Sequence, residues 1–378
     1  MGTELAISCR TVGEGDERKE AEEGVDAGAL FVLKSRGSWV HCGYHLTTSI
    51  VSPVFLSLPF SLALLGWVPG VLCLALAALT TFYSYNLLSL VLEHHAQLGH
   101  RQLRFRDMAT DILGAGWGRY FVGPLQMGAC YGAVVAGSLL GGQSLKFIYL
   151  LTHPNGTLQL YHFVIISGAL TLFLAQIPSF HSLRHINLVS LVLCLLYSAC
   201  ATAGSICIGN SNNAPTKDYL VKASGMNHIF GAFNGISIIA TAYASGIIPE
   251  IQIYLQPLNE VLESIFANPK MDQFSLRNVI PRLFCRTLSV IIATTLAAML
   301  PFFGDIMALL GAFACIPLDF ILPMVFYNAT FKPSKQGPIF WGNTLIAVVS
   351  LVSTVIGAVA SVRQIVLDAK TYRLFANM

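Results

Sequence analysis

Residues 37–92 read GSWVHCGYHLTTSIVSPVFLSLPFSLALLGWVPGVLCLALAALTTFYSYNLLSLVL, and from Gly37 to Leu92 there is no Asp, Glu, Lys or Arg. A helix needs only about 20 such residues to cross the hydrocarbon of a bilayer. Outward from this stretch the pattern repeats: Phe147 to Leu183, His185 to Thr216 and Gln336 to Val362 are equally free of charge. Of the 378 residues, 54% are hydrophobic and 11% charged, against about 25% charged in a soluble chain. These proportions predict an all-α polytopic membrane protein whose main partner is the lipid bilayer. They exclude a disordered or collagen-like chain, and a formal charge of +3 gives no basis for nucleic acid. The nine cysteines show no CxxC spacing and read as small buried hydrophobes.

Nine spans are predicted, at 41–65, 68–92, 121–150, 160–178, 186–208, 228–249, 281–302, 310–329 and 338–362. Trp39, Trp67, Trp117 and Trp341 all fall near span ends, where the indole prefers the headgroup layer. Residues 1–26 carry eight acidic and three basic side chains, so the amino terminus reads as an acidic cytoplasmic tail and not as a signal peptide. The resulting division is a tail at 1–36, a transmembrane domain at 37–363 and a short tail at 364–378. With the amino terminus inside, the cytoplasmic segments hold fifteen basic residues and the outer side five, as the positive-inside rule requires. The sequon Asn155-Gly156-Thr157 then faces outward and is open to glycosylation, whereas Asn328-Ala329-Thr330 faces the cytoplasm and stays bare.

Helix breakers recur inside the spans: Ser52-Pro53 and Pro59 in the first, Gly123-Pro124 and Gly141-Gly142 in the third, Gly246 and Pro249 in the sixth. In hydrocarbon a freed backbone group costs several kcal/mol unless something satisfies it, so interruptions gather at cavities; a kink closed by neighbouring helices is the other reading. The acids to weigh are Glu250, at the end of the sixth span, and Asp305 and Asp319, read as lying nearer loops. Each is a candidate for proton coupling or gating, or a structural cap. His45 stands one turn after His41 at the first span's entrance and joins them, because imidazole titrates in the useful range. Lys146 is read as snorkelling to the outer headgroups, and the Arg101 to Asp111 loop as a charge lock or a solvated face. Neither HExxH, a P-loop nor a nucleophile elbow occurs, so no catalytic constellation, metal site or cofactor is expected and the chain is not read as an enzyme.

Longer strings carry a family resemblance: Leu56-Ser57-Leu58-Pro59-Phe60, Arg104-Phe105-Arg106-Asp107-Met108, Pro178-Ser179-Phe180-His181-Ser182-Leu183-Arg184, Pro249-Glu250-Ile251-Gln252 and Pro301-Phe302-Phe303-Gly304-Asp305. The chain resembles the plant amino acid/auxin permeases. Within them it is most similar to the γ-aminobutyric acid transporters, through Asn278-Val279-Ile280-Pro281-Arg282, Pro317-Leu318-Asp319-Phe320 and Asp368-Ala369-Lys370-Thr371-Tyr372.

The resemblance implies an inverted-repeat amino acid transporter fold with discontinuous first and sixth helices. It implies import of γ-aminobutyric acid and related amino acids at the plasma membrane, driven by the proton gradient. Carried over by position, the substrate region comprises Ser52, Leu56 and Ser57 in the first span and Tyr243, Ala244, Ser245 and Gly246 in the sixth. Two departures stand out. The glycine-rich approach to the first break reads Ile50-Val51-Ser52-Pro53 here, and Gln252 runs directly into Ile253-Tyr254-Leu255-Gln256-Pro257 where the family has two further spans. The second repeat is therefore shortened, through alternative splicing or a faulty gene model. The alternative reading is a non-transporting isoform that associates with a full-length transporter or another membrane protein.

Overall fold

The computed structural model describes residues 47, 53–100, 102, 104–176, 184–211, 221, 225–244, 261, 265–268, 271–272 and 274–371. Among these there is no strand; the elements are helices. A 3-10 turn at Pro53–Ser57 leads into α1 (Leu58–Leu65), followed by α2 (Trp67–Gln97) and a short surface helix, α3 (Phe105–Leu113). After a π-helical turn at Gly118–Val122 come α4 (Gly123–Thr152), α5 (Leu160–Ala175), α6 (Arg184–Gly209) and α7 (Met226–Tyr243). The carboxyl-terminal part holds α8 (Leu276–Met299), α9 (Phe303–Phe331) and α10 (Pro338–Thr371). Among the described residues six helices are long and apolar enough to cross a membrane, and α5 and Val54–Leu65 are shorter apolar helices. α7, at 18 residues, is shorter than these six and carries Asn227, His228 and Asn234.

The burial pattern is inside out relative to a soluble protein. Leu, Val, Ile and Phe crowd the exposed surface, whereas the core is rich in small residues, among them Ala129, Cys130, Ala133, Ala136, Ala293, Ala297, Ala308, Ala312 and Ala314. Lipid solvates large aliphatic side chains as well as the interior does, so helices associate through close backbone approach. Trp67, Trp117 and Trp341 are exposed near helix starts, as expected of indoles seeking the headgroup layer; Trp39 lies outside the described residues.

Close approach also corrects the third span. α4 runs through Gly141-Gly142 without interruption. A Cβ on Gly142 would meet the backbone of Val164 at 2.8 Å, and Gly141 abuts the Ser167 hydroxyl of α5. These glycines are contact points and not breaks. Gly123-Pro124 marks the passage from π-helix to α-helix inside one continuous helix, Ala115–Thr152, and the proline, which has no N–H to donate, directly follows the wider π-helical turn. Lys146 differs too: its side chain is only 8% exposed, covered by protein instead of extended into headgroups.

The Arg101 to Asp111 loop proves to be α3 and its approach. Asp107 sits in the first turn, where the helix dipole favours an anion, and pairs with Arg104 at 3.5 Å and Arg106 at 3.8 Å. Gln102 donates to Asp111. These ion pairs are local to one helix and its approach, while Met108 and Ala109 on its other face are buried.

Candidate functional site

α7 is the hub of the molecule, packing against α1, α2, α9 and α10. Gly231 lies against Leu64, and a Cβ on Gly235 would come 3.0 Å from the Ser61 carbonyl and 2.9 Å from Leu65. The two helices are thus antiparallel, and the same register brings the Pro53–Ser57 turn beside the last part of α7, with which it is in contact. The start of one helix and the end of the other lie side by side. A helix start presents partial positive charge and a helix end partial negative charge, the two polarities that a zwitterion carries.

The candidate substrate residues fall at these ends. Ser57 is buried at the 3-10 to α junction, and its hydroxyl donates to the Val54 carbonyl at 2.6 Å. Leu56 is 54% exposed. Tyr243 is the last residue of α7; its carbonyl faces the Tyr85 hydroxyl at 3.5 Å, and Ala244 caps the helix, buried. The described helix therefore stops three residues before Gly246. Ser52, Ser245, Gly246, Glu250 and His45 lie outside the described residues.

α10 and α9 hold α7 from two sides. On α10, Arg363 donates to the Asn227 side-chain oxygen at 2.7 Å and stacks over Phe230, with 5.0 Å to the ring centroid. Ser361 donates to the Gly357 carbonyl and reaches the Asn234 oxygen at 3.1 Å. On α9, Gly311 lies directly on the Ser237 carbonyl, and the Thr241 hydroxyl donates to the Met307 carbonyl at 2.8 Å.

α9 is itself irregular: two π-helical stretches, Gly311–Cys315 and Pro317–Ile321, interrupt it. Such turns leave backbone groups in non-standard register and gather at functional sites. Asp319 lies in the second stretch, 1% exposed, and neither carboxylate oxygen has a hydrogen-bond partner among the described residues. It is thus deep within a span and not near a loop, where an acid costs about 2.5 to 3.5 kcal/mol on insertion scales. Asp305, in the first turn of α9, is also buried and faces the Asp368 carboxyl, which accepts from Gln364 at 3.1 Å.

Sequence reasoning overlooked Ser237, Thr241, Gly311 and Cys315, which join α7 to α9. Gly311 and Pro317 inside one apolar run were the available signal. Two apolar grooves lie elsewhere: one of about 630 Å³ includes Trp117, Phe121, Phe313 and Leu351, and one of about 330 Å³ lies between Tyr161, Leu172, Ile291 and Thr295. Linings of that kind suit acyl chains better than a charged solute. At the far end of α9, Asn328 accepts from Asn343 at 2.8 Å, and Asn343 in turn accepts from Tyr83 at 2.7 Å. The second sequon's asparagine is thereby occupied in a contact between helices.

A model of the transmembrane amino acid transporter protein family matches residues 35–255 and 238–367. The chain belongs to this family. It is 51% identical over 444 aligned residues to GABA transporter 1 of Arabidopsis thaliana, covering 96% of this chain and 98% of that protein. Lysine histidine transporter-like 1 of the same plant is 24% identical over 433 residues, covering 94% of each chain. No solved structure matches the chain. Since 444 aligned positions exceed 378 residues, at least 66 of them (444 minus 378) fall opposite no residue here. The family model's two matches overlap at 238–255, around the junction of Gln252 and Ile253. A segment of that length accommodates two membrane helices at about 20 residues each. The chain is accordingly a multi-pass membrane protein of an amino acid transporter family and not an enzyme.

Proposed function

We propose that this protein imports γ-aminobutyric acid and related amino acids across the plasma membrane together with protons, on an inverted-repeat fold whose second repeat is shortened. The observation that carries the reading is the side-by-side placement of the α1 start and the α7 end. γ-Aminobutyric acid separates its carboxylate from its ammonium by three methylenes. Paired helix ends offer amides to the first and carbonyls to the second without committing a charged side chain to either. The 51% identity to a protein named GABA transporter 1 supports the substrate class. Ser52, Leu56, Ser57, Tyr243, Ala244, Ser245 and Gly246 then surround the cargo, and alternating access follows from α1 and α7 moving against the remaining helices.

Cells expressing the chain are expected to accumulate labelled γ-aminobutyric acid more strongly from acid than from neutral medium. Absence of uptake with surface expression verified would refute transport by this chain, and co-purification with a longer relative would then favour the associating, non-transporting reading.

The amino terminus is proposed to be cytoplasmic, which places the exposed turn at Asn155, between α4 and α5, outside. Protein made in plant or insect cells is expected to lose an endoglycosidase-sensitive mass shift on Asn155→Gln. Accessibility of Asn155 only from the cytoplasmic side, by labelling of a cysteine placed there, would invert the topology.

A further inference from the structure

Resting on the proton-coupled reading above, we propose that Asp319 is the residue that binds and releases the transported proton, and that the irregular stretch of α9 relays its state to α7. Among the four acid and imidazole candidates, Asp319 alone combines near-complete burial with two unpartnered carboxylate oxygens in the described part of the chain. Asp305 faces another carboxyl instead.

The groups around Asp319 leave it chemically isolated. It lies in the stretch that packs against α2, α10 and the rest of α9. On α2, the Tyr83 hydroxyl is engaged with Asn343, Tyr85 faces the Tyr243 carbonyl, and the His94 ring rests on Phe331 at 5.1 Å. Cys73 stands near the start of α2, and Glu93 and His95 stand in its final turns. On α10, Arg363 is bonded to Asn227 and Asp368 to Gln364, with Lys370 beyond them in the last turn. Cys315, one turn away on α9 itself, is the group within electrostatic reach of Asp319 among the described residues. α2 also carries Thr81 and Ser84, whose hydroxyls are buried without a partner. The occupancy of such a carboxyl by a proton is governed by whether solvent reaches it, which is what alternating access changes.

The relay is visible in contacts. The Cys315 thiol lies beside the Thr241 hydroxyl, Thr241 bonds to the Met307 carbonyl, and Thr241 is two residues from the end of α7. A change of charge at Asp319 therefore acts on a helix stretch already off the α-helical register and touching the proposed cargo site.

The test uses the full chain in proteoliposomes with labelled γ-aminobutyric acid. A one-unit pH gradient can drive about tenfold accumulation. Asp319→Asn is expected to reduce that ratio to about unity while leaving exchange of labelled for unlabelled substrate at equal pH intact and insensitive to pH. Asp319→Glu is expected to keep coupling with a displaced pH midpoint. In the unmodified protein, dicyclohexylcarbodiimide is expected to label Asp319, less so as the medium is made alkaline. Retained gradient-driven accumulation in a stable Asp319→Asn protein overturns the proposal, as does loss of exchange along with accumulation. If the variant fails to fold, absence of carbodiimide label on Asp319 at every pH overturns it. Failure of the unmodified protein to accumulate substrate under a pH gradient overturns instead the proton-coupled reading on which this rests.

Discussion

Gly311→Val is expected to abolish uptake and to lower the thermal stability of the purified protein sharply. The α-carbon of Gly311 sits on the backbone carbonyl of Ser237, and any Cβ there overlaps that oxygen and approaches the Thr241 hydroxyl. No rotamer change relieves the overlap, because the obstructing atom belongs to the main chain. α7 and α9 must separate, and the bond from Thr241 to the Met307 carbonyl separates with them. Overpacking of well-packed interiors costs about 1–3 kcal/mol even where side chains can yield, so Gly311→Ala already destabilises and valine does so more. The comparison that checks it is Gly342→Val: a Cβ at Gly342 meets nothing within 4 Å, so that variant is expected to be nearly neutral. Equal melting temperatures for the two valine variants would show that the crossing of α7 and α9 tolerates separation.

The second large effect is expected at Arg286. Its side chain is almost wholly buried in α8, and Nη1 donates to the carbonyl of Ala175, the last residue of α5, at 3.0 Å. A helix leaves its final carbonyls unsatisfied, and a cation there answers both the missing donor and the negative end of the dipole. Arg286→Leu keeps volume but strands that carbonyl, at about 1–3 kcal/mol for the lost charged hydrogen bond. Arg286→Lys is expected to be intermediate, since ammonium lacks the planar fork. Melting in detergent and the fraction of monodisperse protein are the readouts. An Arg286→Leu protein as stable as its parent would remove the cap as a stability element.

Much of this architecture was legible in the primary structure because hydrocarbon imposes so severe a condition. Runs without charge read as spans, and the described residues of each of the nine expected positions are mainly helical, six of the described helices being long and apolar enough to cross a membrane. The start of α9 at Phe303 was missed by seven residues because Pro301 read as part of a preceding span. Two kinds of feature escaped. A π-helical turn adds one residue per turn, which an all-apolar run cannot reveal, so Gly311–Cys315 and Pro317–Ile321 left no periodic trace. Glycine has two uses, loosening a helix or admitting a neighbour, and only the partner distinguishes them: Val164 does so for Gly142, and Ser237 for Gly311. The depth of Asp319 was misjudged, although its span is apolar on both sides.

At the proposed cargo region the balance was different. Proline at residues 53 and 59 coincides with the 3-10 to α junction at Ser57, and the described part of α7 ends at Tyr243; Gly246 lies outside the described residues. Thr241 and Cys315 were not foreseeable, because a threonine and a cysteine in apolar helices carry no signature until the facing helix is known.

The attachment of α7 to α10 through Asn227, Phe230 and Asn234 bears on how the molecule can be handled. Residues 364–378 read from the sequence as a short tail, yet α10 continues to Thr371. Deleting back to Val362 would strip away Arg363, with its bond to Asn227 and its contact with the Phe230 ring, and leave the first turns of α7 without that attachment. Affinity handles and fluorescent fusions belong after Thr371, and any shortened version should be judged against the intact chain before its inactivity is blamed on the cargo site.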